Sequence, residues 1–113
     1  MVDKLNILYL YGYNPDVGTH MKTIIPLIKN QSSNGLKIGI ILIHDSVIVS
    51  SSKRKTTALV QELIELPIEF FAMTPDLKAR GIDLNAINSK IKPIEYTDLV
   101  DILENSEKII SWM

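Results

Sequence analysis

Short apolar runs alternate along this chain with segments whose apolar residues recur every three or four positions. Leu5-Asn6-Ile7-Leu8-Tyr9-Leu10-Tyr11 reads as a first strand, punctuated at once by Gly12, Asn14 and Pro15. Met21, Ile24, Ile25 and Ile28 then fall at helical spacing, with Asp16 available as a cap. Pro26 lies inside that stripe and predicts a kink or a late start, because proline removes one backbone donor. The polar stretch 30–35 reads as a surface loop. Ile38-Gly39-Ile40-Ile41-Leu42-Ile43 is a continuous apolar run of the kind that fills the centre of a parallel sheet. It stops at His44-Asp45-Ser46.

After a polar stretch at 50–55, Leu59, Val60, Leu63, Ile64 and Leu66 form a second helical stripe, closed by Pro67. Residues 68–73 make a third strand, and Thr74-Pro75-Asp76 carries helix-start chemistry. The short helix that follows ends at Gly81, the expected left-handed position. Residues 92–96 suggest a fourth strand, Thr97 a cap for a helix over 98–104, and 108–112 a terminal strand. Strands alternating with helices predict parallel pairing through right-handed crossovers. The expected fold is a three-layer α/β/α domain over residues 1–113, with about five mostly parallel strands in a doubly wound, flavodoxin-like sheet. Ligands of such sheets gather beyond the carboxyl ends of the strands.

Composition sharpens this picture. Eighteen isoleucines and six valines favour strands buried on both faces. Twelve basic and thirteen acidic side chains give a net charge of −1, which supplies no broad attraction for nucleic acid or anionic membrane. No apolar run reaches the roughly 20 residues of a membrane helix, and Asp3, Lys4 and Asn6 interrupt any signal-like start. A cytoplasmic protein is expected. The chain has no cysteine, which excludes disulfides, thiolate metal sites and a cysteine nucleophile of its own. No cofactor is expected.

The candidate chemistry sits at the strand ends. The loop after the first strand, 12–20, has neither a GxGxxG nor a P-loop spacing, so a phosphate cradle has little support. His44-Asp45-Ser46 ends a buried strand, and His44 is the best titratable candidate because imidazole exchanges a proton near neutral pH. Asp45 or Ser46 can equally tie down the turn. Three adjacent residues on extended backbone do not converge as a triad, and no G-x-S-x-G occurs. His20 and His44 with Asp16 and Asp45 lack metal-site spacing. Lys53-Arg54-Lys55 reads as a solvated face. Arg80 can pair with Asp76 four residues earlier, or with a substrate or partner.

Taken in order, four segments resemble the DsrH/TusB family of sulfur-relay subunits, within the DsrE/DsrF/DsrH-like fold. They are Ile41-Leu42-Ile43-His44-Asp45-Ser46-Val47, the stretch from Phe71-Ala72-Met73 through Asp76 to Ala79-Arg80-Gly81, Ile94-Glu95-Tyr96-Thr97-Asp98-Leu99-Val100, and Ser111-Trp112. The first 37 residues match less well. The resemblance implies a subunit of a complex that passes persulfide sulfur between proteins, towards 2-thiouridine at tRNA wobble positions or in sulfur oxidation. Its implied partners are cysteine-bearing DsrE/DsrF-like (TusD/TusC-like) subunits, with no direct contact to nucleic acid. Without a cysteine this chain cannot carry the relayed sulfur, so a non-catalytic role is expected. His44, Asp45, Ser46, Asp76 and Arg80 are the nominated partner or ligand contacts. A small-ligand-binding domain is the alternative, with a hydrolase using His44 and Ser46 behind it. The apolar terminal strand further suggests a homo-oligomer or hetero-oligomer.

Overall fold

The computed structural model describes residues 4–16 and 19–113. Within them the chain forms strands β1 (Leu5–Tyr11), β2 (Ile38–Leu42), β3 (Glu69–Met73), β4 (Ile91–Ile94) and β5 (Ser106–Trp112). Helices α1 (His20–Ser33), α2 (Ala58–Ile64), α3 (Thr74–Ala79) and α4 (Tyr96–Glu104) alternate with them. A 3-10 segment, His44–Ser50, follows β2 directly. All strand pairs are parallel, in the order β4-β3-β2-β1-β5. The five-stranded parallel α/β sheet expected from the alternation is present.

Strand order explains how the layers are shared. Three crossovers step from β1 to β4 in one direction, and the last returns to place β5 beyond β1. Crossovers of one hand that step the same way put their helices on the same face. Accordingly Met21, Ile24, Ile25 and Ile28 of α1, Val60 and Leu63 of α2 and Leu77 of α3 pack with Tyr9, Ile40 and Phe70 on one face. On the other face Ile102 of α4 packs with Leu8, Ile41, Phe71 and Met73, flanked by Leu99 and Leu103. Every residue of β2 is buried, as its unbroken apolar run requires. The edges differ. Pro93 is tolerated in β4 because that strand pairs on one side only. β5 exposes Glu107, Lys108, Ile109 and Ser111.

Several boundaries depart from the sequence pattern. Asp16 does not cap α1, which starts late, at His20, after Thr19. The helix also runs through Asn30–Ser33, a stretch its polar composition assigned to a loop. There Ser33 Oγ donates to the Lys29 carbonyl and Asn34 Nδ2 to the Asn30 carbonyl, so polar side chains satisfy the last turn. Thr97 does not cap α4. Glu95 precedes its first turn, and its N–H donates to Asp98 Oδ2 at 2.9 Å. Gly81 takes the expected left-handed conformation, with φ of 68°. No helix among the described residues is long and apolar enough to cross a membrane.

Candidate functional site

The carboxyl ends of β1, β2 and β3 meet at one edge, and four of the five nominated residues form a connected polar ridge there. Its centre is the turn out of β2. Ile43 N–H donates to the Tyr11 carbonyl at 3.0 Å and is shared with Ser46 Oγ, also at 3.0 Å. The Ser46 hydroxyl lies against the carbonyls of Tyr11 and Ile43, and the residue is fully buried. Ser46 is therefore a turn-binding residue, the quieter of its two readings. A hydroxyl enclosed by backbone is not placed to attack a substrate, which speaks against Ser46 as the nucleophile of a hydrolase.

His44 departs most sharply from ordinary backbone. Its φ is 50°, in the left-handed region that costs a side-chain-bearing residue about 1–2 kcal/mol. Asp76, on the first turn of α3, holds it there: His44 N–H donates to Asp76 Oδ2 at 3.0 Å. Arg80 closes the ridge. Its Nη2 donates to Asp45 Oδ1 at 2.8 Å, while Nη1 stands 3.9 Å from Asp76 Oδ1. Pairing with Asp76, four residues earlier and one of the two readings open for Arg80, is thus secondary to a shorter bond to Asp45. Asp45 remains well exposed and Asp76 and Arg80 partly so.

Other residues at this edge were not nominated from the sequence. Gly12 ends β1 against the His44 ring. A Cβ built there would stand 3.4 Å from His44 Cδ2 and 2.9 Å from Met113 Cβ, so a larger residue would displace one of them. Tyr13 stacks on His20, with ring centroids 3.6 Å apart and planes 8° from parallel, and Trp112 meets His20 edge-on. His20 is thereby packed against aromatic rings. Asp16 accepts from Arg54 Nη2 at 2.7 and 2.5 Å, tying the loop after β1 to the segment after β2. Arg54 is thus largely buried rather than part of a solvated run. The only advance signal for these residues was their position beside strand ends. Val17 and the second glycine of the loop, Gly18, lie outside the described residues. Among the described residues, no group of three or more His, Asp or Glu side chains is close enough to hold a metal ion.

Two surface cavities lie away from the ridge. One of about 470 Å³ lies between α1 and α2, lined by Lys29, Ser32, Glu62 and Leu66 among others. The other, about 340 Å³, lies beside α4 and is lined by Phe71, Lys92, Asp98 and Asp101 among others. The ridge is an exposed edge rather than the wall of either.

Behind this edge, burial pushes the Tyr11 hydroxyl up to about 12, with Tyr13 adding to the shift. Burial also raises Tyr9, partly opposed by its 2.6 Å hydrogen bond to Gln31. A raised folded value means that the fold keeps a proton the unfolded chain releases from pH 10 upward. Stability should be intact below pH 10 and fall as pH rises to about 12. Denaturant midpoints measured across that interval test this. Tyr11→Phe should flatten the decline, leaving a smaller one from Tyr9.

The fold is shared with solved structures of low sequence identity. The ychN protein from E. coli superposes with a TM-score of 0.77 at 13% identity, covering 96% of this chain and 99% of its own. MTH1491, a protein of unknown function from Methanobacterium thermoautotrophicum, gives 0.70 at 14% identity, covering 92% and 98%. None of the curated proteins matches this chain. The family model described as DsrH like protein matches residues 18–109, which takes in α1 as well as β2 to β4 and stops short of Ser111-Trp112. By that match, over most of its length and including the whole polar ridge, the chain belongs to the DsrH-like family.

Proposed function

We propose that this protein is a non-catalytic subunit of a cytoplasmic sulfur-relay complex. Its partners are cysteine-bearing DsrE/DsrF-like (TusD/TusC-like) chains, and the complex serves tRNA wobble-uridine 2-thiolation or sulfur oxidation. The observation that carries this reading is the polar ridge itself. His44, Asp45, Asp76 and Arg80 are bonded into a fixed, exposed edge that contains no thiol. A fixed exposed edge suits the surface of another protein better than a small molecule, which is normally enclosed by its site. Exposed apolar side chains add to the argument: Tyr96 and Val100 on α4, Ile109 on β5, and Met113 beside Gly12.

The test is affinity capture of the tagged chain from its native cell, with sedimentation of the product. A species well above 12.7 kDa that contains identified DsrE/DsrF-like chains with cysteine is the expected result. A chain that sediments alone at micromolar concentration and carries a defined metabolite would overturn it, in favour of a small-ligand-binding domain.

A further inference from the structure

We propose that His44 is the hydrogen-bond donor that this subunit presents to the reactive cysteine of its partner, as thiolate or as persulfide. The inference rests on the relay-subunit reading and gives its exposed edge a chemical task. Strained backbone persists only where the surroundings over-determine it, and such strain gathers at functional positions. Here the surroundings are specific: Asp76 holds the His44 N–H, and buried Ser46 fixes the turn on its other side.

The side chain presented by this turn is exposed, and neither ring nitrogen bonds to another described residue. The ring lies beside Gly12, where the absent side chain leaves it room. Its charged neighbours are already engaged. Asp45 is paired with Arg80, and Asp76 accepts from the His44 backbone while facing Arg80. Gly12, beside the ring, has Met113 and Ile43 as its other close neighbours, and neither side chain carries a charge. His20, the other imidazole, is packed between aromatic rings. His44 is thus the imidazole at this edge that is exposed and whose ring nitrogens have no bonded partner among the described residues.

Ionised sulfur is stabilised by an adjacent imidazolium, which lowers a thiol's pKa. In the transfer step an acceptor thiolate attacks the outer sulfur of the carrier persulfide. A new S–S bond forms and the old one breaks, leaving its electron pair on the carrier sulfur as thiolate. No oxidant or reductant is consumed. The His44 N–H stabilises the negative charge that develops on the carrier sulfur.

The experiment uses the co-expressed complex with wild-type chain, His44→Gly or His44→Asn. Both variants suit a left-handed position, and glycine relieves its strain, so the turn should fold. Iodoacetamide labelling of the partner cysteine is followed by mass spectrometry between pH 5.5 and 9. In both variants the labelling curve should move to higher pH, with about tenfold slower labelling near pH 6.5, the effect of removing one nearby positive charge. Wild-type rates in either variant, within a complex shown intact by sedimentation, would overturn the role of His44 and leave the subunit reading standing. Failure of the wild-type chain to assemble with any cysteine-bearing relative would overturn both.

Discussion

Truncating Ile40 to alanine should destabilise the fold by about 3 kcal/mol, within the roughly 2–5 kcal/mol typical of a buried isoleucine cut to its Cβ. Ile40 is fully buried in the central strand, paired with Tyr9 on one side and Phe70 on the other. It packs in the same cluster as Ile24, Ile25 and Ile28 of α1 and Leu63 of α2. Strands on both sides and helices above fix the walls of the space left behind, so little of it can collapse. Equilibrium urea unfolding is the measurement. A loss below about 1 kcal/mol, the range of mutations away from a packed core, would show that this layer is less tightly packed than the structure has it.

The opposite sign is expected for Pro26→Ala. Pro26 sits in the interior of α1 with its ring exposed, and it supplies no N–H for the carbonyl of Lys22 one turn earlier. Alanine restores that bond and removes the clash, worth about 3 kcal/mol in a helix interior. The unfolded chain regains freedom that proline had withheld, which offsets up to about 1 kcal/mol. A net stabilisation of about 2 kcal/mol remains, read as a higher urea midpoint at unchanged slope. An unchanged or lower midpoint would mean that the ring makes packing contacts worth as much as the lost bond. The buried face of the helix, Met21, Ile24, Ile25 and Ile28, already explains why α1 forms in spite of Pro26.

That helix also shows where sequence patterns hold and where they fail. Its apolar spacing was legible because burial of one face imposes the helical period on the chain. Its ends were not. The polar run Asn30–Ser33 looks like loop by composition, yet the same side chains bond to carbonyls of the last turn. Thr97 looks like a cap, yet Asp98 reaches back to the Glu95 N–H and starts α4 earlier. Polar residues suit either side of a helix boundary, and only the local geometry chooses between them.

The candidate site divides in the same way. His44, Asp45, Asp76 and Arg80 could be nominated because they follow buried strands, and a parallel sheet brings its strand ends to one edge. Ser46 could not be told apart from its neighbours until its burial was known. Arg54 looked like part of a solvated basic run, and its bond to Asp16 spans 38 residues. The left-handed backbone of His44 was only faintly signalled by residue type: histidine is enriched there relative to most side chains, yet few histidines adopt it.

By itself the sequence determined the alternation of strands and helices, the buried β2, the absence of cysteine and the segments of the DsrH-like family. These follow from local period and composition, which each stretch of chain carries with it. Tertiary structure decided the strand order, the enclosure of Ser46, the Arg54–Asp16 tie and the bonded ridge of His44, Asp45, Asp76 and Arg80. Each of these depends on contacts between residues distant in the chain, made by side chains whose types permit many partners and whose positions in the fold select one.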